Sequence, residues 1–288
     1  MRLFRTLAAT TVALSAALLG SSQALAVEAS PQASAPAAVA APGADFTGIA
    51  ALSNCSGSLV RYAGSLSTDP ALILTNGHCY EGGMPSPGQV LVDRASTRSF
   101  TLLKPSSSNA GTVRANRVLY STMTKTDITL YRLTETYAAI KTRLNVSPLT
   151  LAQAAPANGA GMAVVSGYWK RIYTCSVQAT IPELREGGWV FKNSIKYRQP
   201  GCEIIGGTSG SPIVSTTTGE VIGVNNTSNE DGARCTLNNP CEVDVNGNIT
   251  VDQGAGYGQQ TWWLYTCLSS TRTLDLNKTG CQLAKPTR

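Results

Sequence analysis

From Phe46 onward the chain is a succession of short apolar runs, each closed off by Gly, Ser, Asn or Pro. Gly57–Tyr62, Ala71–Leu74, Gln89–Val92, Asp127–Leu133, Gly161–Ser166, Pro212–Val214 and Glu220–Val224 are all strand-length. Apolar runs this short and this regularly bounded by turn residues predict an all-β chain. Asn246-Gly247, set between Val243–Val245 and Ile249–Val251, predicts a tight type I′ hairpin. Only Gln260–Ser270, with Trp262, Trp263, Leu264 and Leu268, reads as a helix. No solenoid-type repeat is present.

Composition narrows the classes further. With 288 residues there is chain enough for a sizeable core. Charged residues make up 14%, well under the roughly 25% of ordinary globular proteins, and they form no runs. A disordered chain or a long solvated helix is therefore excluded. The formal charge of +6 falls to +4 without Arg2 and Arg5, too diffuse to imply a nucleic-acid partner. Past the N-terminus no apolar run approaches the roughly 18–20 residues of a membrane span.

Met1–Ala26 has the layout of a secretory signal: Arg2 and Arg5, an apolar stretch over Leu7–Leu19, then Ala24-Leu25-Ala26 as the cleavage site. Residues 27–45 are dominated by Ala, Pro, Ser, Val and Gln, and read as a linker or short pro-segment. Residues 46–288 remain for the folded domain of a secreted protein.

All eight cysteines, Cys55, Cys79, Cys175, Cys202, Cys235, Cys241, Cys267 and Cys281, follow the signal. An even count in an exported chain favours disulfides over metal thiolates. There is no Cys-x-x-Cys and a single histidine, so no metal or cofactor is expected. Pairing sequence neighbours, 55 with 79, 175 with 202, 235 with 241 and 267 with 281, is the simplest arrangement among many. Asp244–Asn248 resembles part of a calcium loop, but Ile249 stands where the sharp turn needs glycine and no glutamate follows at the twelfth place.

The lone histidine, His78, leaves a strand in Leu74-Thr75-Asn76-Gly77-His78-Cys79, and Ser209 sits among glycines in Gly206-Gly207-Thr208-Ser209-Gly210-Ser211-Pro212. The nucleophile elbow of α/β-hydrolases does not fit, because Ser211 occupies its last glycine position and the histidine precedes the serine. The order His78, Asp127, Ser209 is that of the chymotrypsin-like double barrel. Four stretches carry a resemblance to secreted trypsin-like serine proteases. Cys55–Val60 resembles the family's early Cys-x-Gly-Ser-Leu strand, Thr75–Cys79 its Thr-Ala-x-His-Cys box with Asn76 for Ala, Asp127–Leu130 its Asp-Ile-Ala-Leu strand, and Gly207–Pro212 its Gly-Asp-Ser-Gly-Gly-Pro turn.

The resemblance implies two six-stranded antiparallel β-barrels with a C-terminal helix and a Cys55–Cys79 bridge. It also implies a monomer that cuts protein or peptide substrates, needing neither nucleic acid nor membrane. Ser209 would be the nucleophile, His78 its general base, Asp127 the group orienting His78, and the N–H groups of Gly207 and Ser209 the oxyanion hole. Asp93 and Asp231 compete for the acid's place but lie outside the family's strand pattern. Thr208 replaces the aspartate before the nucleophile, and no Ile/Val-x-Gly-Gly start follows the linker, so activation by a buried new N-terminus is excluded. The Gly-x-Ser-Gly-Ser-Pro pattern is closer to the bacterial glutamyl-endopeptidase-like branch.

The family's chain order puts Glu203 and Asn225 in the primary pocket. Glu203 stands six residues before Ser209, where a carboxylate would favour a basic side chain; the same residue also reads as a solvated loop position. Preference for glutamate is disfavoured, since Asn225 stands where that branch uses a histidine. A catalytically inactive binding protein of the same fold is the competing reading. Such relatives usually lose a triad member or a glycine beside the serine, and here all are present.

Overall fold

The computed structural model describes residues 44–198 and 200–287; the signal and nearly all of the linker lie outside these residues. The expectation of an all-β chain holds. The first half of the domain comprises β1 (Ile49–Ala51), β2 (Ser56–Arg61), β3 (Pro70–Thr75), β4 (Val90–Ala95), β5 (Ser99–Leu103), β6 (Asn109–Thr122), β7 (Ile128–Thr136), α1 (Tyr137–Leu144) and β8 (Leu149–Thr150). Pairing in the order β1-β5-β6-β7-β3-β2, with β2 returning to β1, closes a six-stranded barrel. The long β6 holds β5 along its first half and β4 along its second.

The period-two alternation of a strand explains why these runs are apolar on both faces. Leu59, Ile73, Tyr131 and Leu133 point into the barrel beside Phe100 and Val113. Their neighbours Val60, Leu72, Leu74 and Leu130 pack outward against Val221, Val224, Trp263 and Leu264. The strands are thus sandwiched, and polar alternation is lost.

The second half contains β9 (Gly161–Ser166), β10 (Arg171–Ser176), β11 (Ala179–Glu186), β12 (Trp189–Tyr197), β13 (Pro212–Ser215), β14 (Val221–Ser228), β15 (Cys241–Val243), β16 (Ile249–Thr250), β17 (Gly256–Gln260) and α2 (Trp263–Thr266). Its strands form one sheet of nine, β10-β9-β13-β14-β17-β12-β11-β15-β16. The second of the two expected β units is this sheet, and it carries more strands than the six expected. The excursion between β14 and β17 folds into the β15–β16 hairpin and adds it to the edge of β11.

Three local readings also change. The turn at Asn246-Gly247 is longer than a type I′ turn: only Gly247 has positive φ, +85°, and Asp244 accepts at its side chain from the N–H groups of Asn246 and Asn248. The carboxylate of Asp244 organises the loop, so two left-handed residues are not needed. The C-terminal helix is a single turn, because Gln260 belongs to β17 and Cys267 is tied to Cys281. α1 was not expected, although Thr136 caps it by accepting from Ala139 N–H and Asn145 ends it at φ +54°.

All four disulfides join sequence neighbours: Cys55–Cys79, Cys175–Cys202, Cys235–Cys241 and Cys267–Cys281. The first ties the start of β2 to the turn bearing His78. Beneath that turn Arg98 donates to the Cys79 carbonyl at 2.5 Å, to Tyr131 Oη at 3.0 Å and to Asn54 Oδ1 at 2.8 Å. Replacing Cys55 and Cys79 together by alanine should cost about 2–4 kcal/mol of stability. Thermal unfolding against the parent checks this, and an unchanged melting temperature refutes it.

Candidate active site

β3 ends at Thr75, and the chain turns through Asn76-Gly77-His78-Cys79 with Cys79 N–H on the Asn76 carbonyl at 3.3 Å. This turn runs against the end of β6 and the start of β7. A side chain at Gly77 would sit 2.0 Å from the Thr122 carbonyl oxygen and 2.8 Å from Asp127 Oδ1, so glycine is the residue that allows the approach. The approach seats His78 on Asp127. Asp127 is fully buried; its Oδ1 accepts the His78 backbone N–H at 2.9 Å and its Oδ2 lies 2.6 Å from His78 Nδ1.

Ser209 is delivered by a turn pinned on both sides. Its carbonyl accepts from Ser56 N–H at 2.7 Å, and Gly210 N–H donates to the Asn225 carbonyl at 3.0 Å. At Gly210, where φ is +77°, an added Cβ would lie 2.1 Å from the Ser56 carbonyl oxygen. Asn76 joins the two turns. Its amide nitrogen donates to the Asp127 carbonyl at 2.9 Å and its Oδ1 accepts Gly210 N–H at 2.5 Å. The side chain that departs from the Thr-Ala-x-His-Cys box is the one that links the three segments.

His78 and Ser209 line one cleft. Ser209 Oγ donates to the Asn226 carbonyl at 3.4 Å, and among the described residues it makes no hydrogen bond to the His78 ring. Around Ser209 the N–H groups of Thr208, Gly210 and Ser211 donate to the carbonyls of Ile205, Asn225 and Thr208. Those of Gly207 and Ser209 meet no acceptor among the described residues. Trp169 Nε1 donates to the Gly206 carbonyl at 2.7 Å. In a trans peptide the C=O and the following N–H point in opposite directions, so this bond turns Gly207 N–H away from the indole.

The electrostatics follow from burial and charge. Burial disfavours the His78 imidazolium, but the charge and hydrogen bond of Asp127, helped by Glu186, outweigh it and raise its pKa above the ordinary histidine value. Glu186, at the end of β11, also lines the cleft. Burial pushes its carboxyl up to about 6, against hydrogen bonds from Asn238 N–H and Thr227 Oγ1.

The sequence-derived residues fare differently. His78 is hydrogen-bonded to Asp127 and shares a cleft with Ser209, while Gly207 lies two residues before Ser209 with an N–H that meets no acceptor among the described residues. Asn225 lines the cleft but is buried, donating to Thr208 Oγ1 at 3.1 Å and accepting from Tyr197 Oη, so it holds the residue before Ser209. Glu203 is corrected: it is exposed and off the cleft, because its carboxylate folds back onto Gly201 N–H at 2.9 Å. Asp93 pairs with Arg117 at 3.1 Å on the surface, away from His78. Asn76, Trp169 and Glu186 were not singled out by sequence reasoning. Only Asn76 had a signal, as a departure inside a recognised box. Cys55, His78 and Cys79 are the one convergence of metal-ligating residue types among the described residues, and both sulfurs are spent in the disulfide.

A family model described as a trypsin-like peptidase domain matches residues 55–224, more than half of the chain. No curated protein matches the chain. Among solved structures, the active form of the Rv3671c protease from M. tuberculosis is similar at 15% identity, over 82% of this chain and 81% of that one, with a TM-score of 0.44. The MamO protease domain from Magnetospirillum magneticum is similar at 12% identity, over 78% and 97%, with a TM-score of 0.45. A Nocardiopsis protease is similar at 13% identity, over 75% and 93%, with a TM-score of 0.42.

Because the chain has one histidine, its imidazole signals report His78 without assignment. The ring should titrate with a midpoint above the usual ~6.5. In Asp127→Asn the midpoint should fall, since burial then acts with little to oppose it. An NMR titration of both proteins checks the sign, and a midpoint that rises or stays put in the variant refutes it.

Proposed function

The chain belongs to the family of trypsin-like peptidase domains, and from that we propose that it is an exported serine endopeptidase acting through Ser209, His78 and Asp127. The observation that carries this reading is the Asp127–His78 hydrogen bond in the cleft that Ser209 also lines. A serine hydroxyl is a weak nucleophile at neutral pH and needs a neutral imidazole to take its proton. With Nδ1–H donated to Asp127, the free ring nitrogen Nε2 is the one left to do so.

In this reading Ser209 Oγ attacks the scissile carbonyl carbon while its proton passes to His78 Nε2. Asp127 stabilises the imidazolium that results. The carbonyl oxygen becomes an oxyanion held by the N–H groups of Gly207 and Ser209, which meet no acceptor among the described residues, while Trp169 fixes the Gly206 carbonyl and with it the plane of the Gly206–Gly207 peptide. Collapse of this tetrahedral intermediate breaks the C–N bond, with His78 returning the proton to the leaving amine and the acyl group left as an ester on Ser209. Water, deprotonated by His78, then releases the carboxylate and restores the hydroxyl.

One further feature favours a peptide substrate. β14 pairs with β13 only up to Val224, so over Asn226–Ser228 it is paired on one side, by β17. These residues line the cleft, where an extended segment can add as a strand. Export is supported by four disulfides and by the signal-like N-terminus. Among the described residues no helix is long and apolar enough to cross a membrane.

The alternative, an inactive binding protein, draws on the hydrogen bond of Ser209 Oγ to the Asn226 carbonyl instead of to His78. Reaction with a fluorophosphonate separates the two. Stoichiometric labelling at Ser209 is expected, and Ser209→Ala or His78→Ala should lower turnover by about 10⁴–10⁶-fold with the fold intact. No labelling, or labelling at another serine, establishes the alternative.

A further inference from the structure

Two acidic side chains of the described domain are buried, and they are partnered differently. Asp127 has His78. Glu186, 6% exposed, faces no Lys, Arg or His within ion-pair distance among the described residues. Its Oε1 accepts from Asn238 N–H at 2.8 Å and from Thr227 Oγ1 at 3.0 Å, while Oε2 accepts from no donor among the described residues. An unpaired buried carboxylate is unfavourable unless something else supplies the opposite charge. The carboxylate lines the cleft of His78 and Ser209, so the missing charge can arrive with a ligand.

The rest of the cleft agrees on the sign and shape of that ligand. Apart from His78, the ionisable side chains lining it are Glu186 and Glu230, and no Lys or Arg does. Met84, Met123, Trp189 and Leu237 give it apolar walls. Trp189 is the cross-strand partner of Glu186 in the β11–β12 hairpin, and directly paired residues project to the same face. The indole therefore stands beside the carboxylate, held by Nε1–H on the Pro85 carbonyl at 2.9 Å. Apolar walls with an aromatic ring and a carboxylate suit a long aliphatic stem ending in a cation.

We propose that Glu186 is a specificity-determining residue whose free oxygen receives the ammonium or guanidinium of a Lys or Arg side chain of the substrate. This rests on the peptidase reading, yet it places the selecting carboxylate on the β11–β12 hairpin and not in the loop before the nucleophile. The carboxyl that burial raises to about 6 is ionised at neutral pH, so the charge is present when a substrate arrives.

The test uses binding, so that it stands apart from turnover. Ser209→Ala protein is titrated calorimetrically at pH 8 with benzamidine and with benzamide, its neutral counterpart. Benzamidine should bind at least about 10-fold more tightly, the scale of one charge-assisted hydrogen bond, and Glu186→Gln in that background should abolish the difference. Equal binding, no binding of either, or a preference that survives Glu186→Gln overturns the proposal. Glutamine keeps the shape and still accepts from Asn238 and Thr227; circular dichroism confirms that it folds, and should it not, the benzamidine preference of the Ser209→Ala, His78→Ala double variant, which lacks the imidazole that would also gain charge, at pH 8 against pH 5 decides. A preference that fails to weaken at pH 5, where Glu186 is protonated, overturns it too. In the active parent, a peptide-library profile should show Lys or Arg favoured at one position. Hydrolysis without any cationic preference defeats this proposal and leaves the peptidase reading standing, whereas absent hydrolysis with intact benzamidine selectivity does the reverse.

Discussion

Everything in the site hangs on the burial of the Asp127 carboxylate. A charge with no solvent must be met by donors held in place, and here they are His78 Nδ1 and the His78 backbone N–H. To bring both to one carboxylate the turn after β3 has to press onto β6, which only Gly77 permits. Asn76 then carries the constraint across to Gly210, so the position of the serine turn depends on the same contact. The Cys55–Cys79 bridge and the Arg98 contacts hold this turn from outside the cleft.

The two halves of the domain contribute unlike things. The first half closes its six strands, which removes free edges and fixes His78 and Asp127 on a rigid wall. The second stays a sheet of nine strands and supplies what a substrate would meet: the Ser209 turn, the one-sided stretch of β14 and the β11–β12 hairpin. Trp169 is a link between them. Its turn is held through the Ser56 and Ser166 hydroxyls, with Tyr168 N–H on Ser56 Oγ at 3.1 Å, while its indole reaches Gly206. Orientation of a single peptide beside Ser209 thus draws on both halves.

Glu186 and Asp127 are two buried carboxylates with different surroundings. Asp127 is fully buried, meets one His78 donor on each oxygen and does not line the cleft. Glu186 keeps one oxygen without a partner and lies near enough to His78 to help raise its pKa. A cation bound at Glu186, as proposed, would reduce that influence, and such binding would then be coupled to the basicity of His78.

The sequence by itself determined the strand runs, the His78, Asp127, Ser209 order, the glycine-flanked serine turn, and a neighbour pairing of cysteines that the structure repeats. These are local properties: period-two apolarity, turn chemistry and short boxes are written in consecutive residues. The nine-stranded second sheet, the one-turn length of α2, the solvent position of Glu203 and the arrival of Glu186 at the cleft were decided only by tertiary structure. Glu203 looked like a pocket residue by counting, but counting fixes separation along the chain and not direction, and the Gly201 N–H drew its carboxylate outward. Glu186 had no sequence signal at all, because what sets it apart is a burial without a counter-charge, and that exists only once Thr227, Asn238 and the cleft have closed around it.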